Sequence, residues 1–167
     1  MFKLEGKRAL VCGGTSGIGK ATVEIFRKSG ATAVSLARTA SGENTINCDI
    51  EDLDKLTALV NKEIDDNGNF EILINNSGGP PSGPLIDAKP NDFNKAFRRH
   101  VLASQTLVQI LLPGMIACSY GRIINIISTS VKEPIPGLGV SNTIRGAMAS
   151  WSKTLSKELP PQITINN

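Results

Sequence analysis

Three glycines, Gly13, Gly17 and Gly19, follow the short apolar run Ala9-Leu10-Val11-Cys12 and open a segment of helical periodicity. That pattern suits a phosphorylated ligand. Without Cβ atoms the backbone turns tightly, approaches a pyrophosphate and lets the helix pack on the strand, while the first helical N–H groups face phosphate oxygens. Thr15, Ser16 and Ile18 belong to the same turn, whose spacing is GxxxGxG rather than GxGxxG. Glycine turns also join strands to helices for packing alone, so the flanks matter. Ile18, Ala21, Thr22, Ile25 and Phe26 predict one apolar helix face, and Gly30 a C-terminal stop.

The elements that must position this turn alternate along the chain. Thr32 to Leu36 predicts a second strand. Leu53, Leu56, Val60 and Ile64 mark a helix whose start carries Glu51 and Asp52, negative charge that suits the helix dipole. Ile72-Leu73-Ile74 reads as a strand covered on both faces. Phe93, Phe97, Val101, Val108, Leu111 and Leu112 predict a long helix stopped at Pro113-Gly114. Arg122 to Ile127 predicts another buried strand, and Met148, Trp151, Ser152, Leu155 and Leu159 stripe a helix ending before Pro160-Pro161. That stripe reads as core, with a dimer face as its further use. Repeated right-handed strand-helix units give an α/β fold with a doubly wound parallel sheet, expected as one dinucleotide-binding domain over 1–167.

Composition bounds the partners. The chain has 167 residues and a net charge of +3, and its cationic residues are interleaved with acidic ones, so no basic stripe points to nucleic acid. Three cysteines at unrelated spacings give neither a disulfide framework nor a metal site, and a reducing cytoplasm is the expected setting. No apolar run of membrane-spanning length and no signal peptide is expected.

Four short segments together resemble the short-chain dehydrogenase/reductase family, from residue 7 to the last residue. Cys12 to Gly19 is similar to its TGxxxGIG turn, with Cys12 in place of threonine. Cys48-Asp49-Ile50 resembles the pair that holds adenine, Asp49 and Ile50, and Asn75-Asn76-Ser77-Gly78 resembles NNAG. Ser128 falls where the family keeps its catalytic serine. The resemblance implies a Rossmann-like three-layer sheet of order 3-2-1-4-5-6. It also implies a nicotinamide dinucleotide held by the glycine turn, Asp49, Ile50, Asn76, Ser77 and Gly78, and a small carbonyl substrate, of the 3-oxoacyl type or a similar ketone. Ile163 to Asn167 resembles the start of the sixth strand. The expectation is a sheet incomplete at that edge and a chain that forms a homo-oligomer.

Within that frame, selection of NAD calls for a carboxylate about 20 residues past the glycines. Here the segment is Leu36-Ala37-Arg38-Thr39, and the planar donors of Arg38 suit a 2′-phosphate, so NADP is expected, with NAD the alternative. The catalytic pattern departs from the family. The expected YxxxK becomes Ser141-Asn142-Thr143-Ile144-Arg145, a weakly acidic hydroxyl and a permanently protonated guanidinium. Arg145 would then bond the nicotinamide ribose and stabilise oxyanion character. His100, the only histidine, occupies the place of an asparagine that holds a water in the family's proton path, and an ordinary imidazole titrates near enough to neutrality to relay a proton. Either the chain reduces a carbonyl with Ser128, Ser141, Arg145 and His100, or it binds nucleotide with little catalysis. Tyr120, the only tyrosine, is expected at the opposite end of its strand from Ser128.

Overall fold

The computed structural model describes residues 3–167. Its order is β1 (Arg8–Cys12), α1 (Gly17–Lys28), β2 (Thr32–Ala37), β3 (Thr45–Asn47), α2 (Leu53–Asn67), β4 (Ile72–Asn75), α3 (Pro90–Phe97), a π-helical turn (Arg98–Leu102), α4 (Ala103–Ala117), β5 (Gly121–Asn125), α5 (Gly139–Leu155) and β6 (Ile163–Asn166). All strands pair in parallel in the order β3-β2-β1-β4-β5-β6, with Leu10 beside Val34 and Leu73, and Leu73 beside Ile123. This is the doubly wound order the family resemblance implies, and β3 and β6 form its two edges.

Side chains alternate across the pleat, so β1 feeds two cores at once. Leu10 and Cys12 join Val34, Leu73 and Ile123 against α2 and α4 through Leu56, Val60, Leu107, Leu111 and Met115, with Trp151 and Leu155 of α5 at the margin. Ala9 and Val11 join Ala33, Ile72 and Ile74 on the other face, against Val23 and Phe26 of α1. Burial on both faces explains why the central strands read as unbroken apolar runs.

Several elements depart from expectation for identifiable reasons. The buried face of α1 is Gly19 and Val23, backed by Phe26, while Ile18 and Ile25 are each 61% exposed. Gly19 must face the Gly13 carbonyl just beyond β1 for close approach, and that fixes the helix phase. Pro113 does not stop α4, which runs to Ala117. Pro113 itself is exposed, whereas Met115 beyond it is wholly buried and Gly114 packs on the Asn69 side chain, so tertiary burial holds the last turn. β5 ends at Asn125; the Ile126 N–H makes one more bond, 2.9 Å to the Asn75 carbonyl, and the chain then leaves the sheet.

Pro90 to Ala117, joined through the π turn, is one helical stretch long and apolar enough to span a bilayer by length and composition, which corrects the expectation that no such run exists. Its apolar face is committed to the sheet through Ala103, Leu107, Val108, Leu111 and Met115. The α5 stripe likewise packs inward: Met148 and Ser152 are buried, and the Trp151 indole N–H donates to Gln105 Oε1 at 2.7 Å. Tyr120 lies at the amino end of β5 as expected, with Lys7 Nζ and the Arg122 guanidinium over its ring at 4.5 and 4.2 Å.

Candidate functional site

A parallel sheet brings the carboxyl ends of its strands to one edge, where ligands of such folds bind. β1 delivers Gly13 there, β2 delivers Arg38, β3 is followed by Asp49, β4 by Asn76 and Ser77, and β5 by Ser128.

Gly13 has φ of +65°, and a Cβ on it would stand 2.8 Å from Asn76 Nδ2. A Cβ on Gly19 would overlap the Gly13 carbonyl. Asn76 locks this approach by donating from Nδ2 to the Cys12 carbonyl at 3.1 Å, and the Gly13 N–H donates to the Leu36 carbonyl at 2.8 Å. Ser16 heads α1 in extended conformation without a side-chain cap, and no acidic residue occupies the first turn. The leading N–H groups of α1 thus lack a side-chain acceptor, which is the donor array an anion needs. Thr15 Oγ1 stands 3.5 Å from Thr39 Oγ1, joining the glycine turn to the loop after β2.

Beside this turn lies a cavity of about 300 Å³ whose walls include Gly13, Ser16, Arg38, Asp49, Ile50 and Ser77. Thr15, Asn76 and Gly78 border it as well. Ile18 is exposed at the start of α1, and Gly17 adopts φ of +50°. Arg38 is exposed and has no salt-bridge partner among the described residues. Asp49 Oδ1 accepts from the Glu51 N–H at 3.1 Å, which shapes the loop leading into α2. The helix cap itself is Asp52, accepting from the Lys55 N–H at 3.1 Å, while the Glu51 carboxylate turns away to Arg99. Burial pushes the Cys12 thiol up to about 12, so it packs as an apolar group; among the described residues no His, Cys, Asp and Glu cluster suits a metal.

The proposed catalytic residues fall into two sets. His100 and Arg145 meet around one small cavity, together with Ser77 from the expected cofactor loop. His100 Nδ1 lies 2.6 Å from Ser77 Oγ, and Arg145 Nη1 donates to the Ile126 carbonyl at 2.9 Å and Nη2 to the Ser77 carbonyl at 3.4 Å. His100 is 3% exposed, and burial followed by the charges of Arg145 and Arg99 pulls its imidazole down to about 3. The sequence expectation of an ordinary, relay-ready imidazole is therefore corrected: the environment keeps it neutral at physiological pH. Burial also lowers Arg145 from its ordinary value, yet a guanidinium remains protonated.

The second set is Ser128 and Ser141, both half-buried, one capping a short 3₁₀ turn and one in the first turn of α5. Ser128 Oγ accepts from the Ser130 N–H at 3.1 Å. Their chain neighbours Ser130 and Asn142 border a cavity of about 530 Å³, walled by Leu85, Ile135 and prolines 134 and 136, with no charged side chain on its lining.

The sequence did not expose two features of this edge. Glu51 and Arg99 pair across 48 positions, and a ladder of amides runs from Asn75 Nδ2 to Asn125 Oδ1 at 2.8 Å and from Asn125 Nδ2 to Asn167 Oδ1 at 2.9 Å. Each partner reads as an ordinary polar residue on its own, and only strand adjacency makes the series.

Comparison with known proteins agrees with this arrangement. The family model for short chain dehydrogenases matches residues 7–167. The uncharacterized oxidoreductase Rv1543 of Mycobacterium tuberculosis is 29% identical over 174 residues, covering 93% of this chain and 51% of that protein, so the chain spans about half the length of this curated relative. The 3-ketoacyl-(acyl-carrier-protein) reductase of Brucella melitensis, solved with NADH, superposes with a TM-score of 0.88 at 28% identity, covering 96% of this chain and 74% of that one. L-sorbose reductase from Gluconobacter frateurii, solved with NADPH and L-sorbose, gives 0.86 at 27%, covering 94% and 65%. A family match across nearly the whole chain, a sheet of the expected order and a glycine cradle closed by Asn76 lead to one conclusion: this chain belongs to the short-chain dehydrogenase family.

Proposed function

We propose that this chain binds NADP in preference to NAD and belongs to an oxidoreductase that reduces a small carbonyl compound, with a 3-oxoacyl derivative as the leading substrate class. The observation that carries the cofactor reading is the cradle itself: a Cβ would collide at Gly13 and at Gly19, the α1 amino terminus has no capping side chain, and Arg38 stands free at the lip of the adjoining cavity. These residues fit a dinucleotide. The glycine turn and α1 would hold its pyrophosphate, Asp49 and Ile50 its adenine end, Arg38 a 2′-phosphate, and Asn76, Ser77 and Gly78 the segment leading to the nicotinamide.

The bound nicotinamide would supply a hydride to the carbonyl carbon. Ser128 and Ser141 would supply hydroxyl donors to the carbonyl oxygen, and Arg145 would contribute a fixed positive charge. Its two bonds to the Ile126 and Ser77 carbonyls make Arg145 a clamp between α5, β5 and the β4 loop as well as a charge. Neither serine is acidic enough to deliver a proton as a phenol does, and His100 is held neutral, so the proton reaches the product alkoxide from water and turnover is slow.

A second reading, nucleotide binding without turnover, is favoured by that same neutral His100 and by the anchoring of Arg145 to backbone carbonyls. The test mixes the protein with NADPH or NADH and a panel of ketones that includes a 3-oxoacyl thioester. Loss of the nicotinamide absorbance band supports reduction; saturable binding without that loss supports the second reading. Self-association is part of the same proposal, because Phe97, Leu102 and Ile116 remain exposed on the α3 to α4 stretch. A folded monomer in sedimentation at micromolar concentration would count against it.

A further inference from the structure

We propose that Arg99, held by Glu51, is a base-binding residue of the nucleotide cavity, its paired guanidinium stacking on the purine. The inference rests on the dinucleotide reading above and concerns residues to which that reading gives no part. Arg99 borders the same cavity as Asp49, Ile50 and Gly78. Its side chain is about one-third exposed, while its Nε donates to Glu51 Oε1 at 2.7 Å and Nη2 bonds the same oxygen. Arg98, the preceding residue, donates from Nε to the Glu51 carbonyl at 2.6 Å.

On a regular helix adjacent residues do not share a face. The π turn Arg98–Leu102 widens the backbone here, and both arginines converge on Glu51. Such turns recur at functional sites. The consequence is a guanidinium fixed along one edge of its fork, with its planar faces unencumbered by that pairing.

Charge decides what this group recognises. Glu51 neutralises Arg99, so the pair is a poor anchor for a phosphate, and the unpaired Arg38 on the same cavity is the better one. A planar, weakly hydrated guanidinium whose charge is balanced by a neighbouring carboxylate is still suited to stacking on an aromatic ring. The two arginines thereby divide the ligand: Arg38 takes the 2′-phosphate and Arg99 holds the base.

The experiment measures dissociation constants of 5′-ADP, NADH and NADPH by calorimetry for the parent chain and for Arg99→Ala, Arg99→Lys, Arg99→Gln, Glu51→Gln and Arg38→Ala. Circular dichroism establishes folding of each variant. Arg99→Ala is expected to weaken all three ligands by the same factor, about 5- to 30-fold. Arg99→Lys, which keeps the charge and loses the plane, should fall with it, and Glu51→Gln should lose less. Arg38→Ala should weaken NADPH alone. If Arg99→Ala does not fold, Arg99→Lys and Arg99→Gln carry the same comparison. Parent-like ADP binding by a folded Arg99→Ala, full rescue by lysine, or a loss confined to NADPH each overturns the inference while leaving the cofactor reading standing. A parent chain that binds none of the three overturns both.

Discussion

Ser77 Oγ and His100 Nδ1 stand 2.6 Å apart, joining the loop after β4 to the π turn across 23 residues. Which of the two atoms donates depends on the imidazole tautomer, and either way the contact ties the ring to the loop. The neutral imidazole carries a single proton, and its buried Nε2 has no hydrogen-bond partner among the described residues. A histidine in this state orients its neighbour; it does not hold a spare proton to deliver.

That state has a pH signature. An unfolded imidazole takes up a proton below its ordinary 6.5, whereas the folded one refuses it until about 3. Between those values the unfolded chain binds more protons, so this group lowers stability as pH falls, by up to about 1.4 kcal/mol per unit. Denaturant unfolding from pH 7 to 4 should show that slope, and His100→Asn should flatten it. Heteronuclear spectra should find the His100 ring neutral down to pH 5; a midpoint near 6.5 would refute the assignment.

Replacing Arg38 by alanine removes a charge-assisted contact to a 2′-phosphate. NADPH affinity should fall by about 1–3 kcal/mol and NADH affinity should hold. Equal affinity of the parent chain for the two cofactors would sink the preference.

Restoring a phenol and an ammonium through Ser141→Tyr with Arg145→Lys should raise carbonyl reduction, since a positioned general acid contributes typically 10²–10⁴-fold. Positions 141 and 145 lie one turn apart on α5. Rates of NADPH oxidation by the parent and the double variant make the comparison. A double variant that binds NADPH normally and is no faster would favour the nucleotide-binding reading, and loss of all parental activity in His100→Ala would restore His100 as the donor.

Gly19→Ala tests the cradle. The added methyl group meets the Gly13 carbonyl, which is backbone and cannot rotate away. Nucleotide binding should be lost and stability reduced by about 1–3 kcal/mol, read from the denaturation midpoint. Gly17→Ala meets nothing within 4 Å, and its cost should come only from its φ of +50°.

The sequence by itself determined the strand-helix alternation, the parallel sheet and the glycine turn, because these depend on local periodicity and on residues adjacent in the chain; the order of the strands came from the family resemblance. The resemblance also picked out Arg38 and the loop from Asn76 to Gly78, which the fold brings to one cavity. Periodicity misjudged the phase of α1, where Ile18 and Ile25 look like core and Gly19 does not, since helix phase is set by which residue the sheet approaches closely. Pro113 misled for a related reason: burial of Met115 outweighs one missing helical N–H.

What only the tertiary structure decided is electrostatic and non-local. Glu51 looks like a helix-start acid until Arg99 is brought to it, and Asn75, Asn125 and Asn167 form a ladder only when three strands lie side by side. His100 carries the clearest lesson. Its position is legible from spacing, but its protonation state is not, because that depends on the water removed around it and on the distance to Arg145 and Arg99, quantities that exist only once the chain has folded.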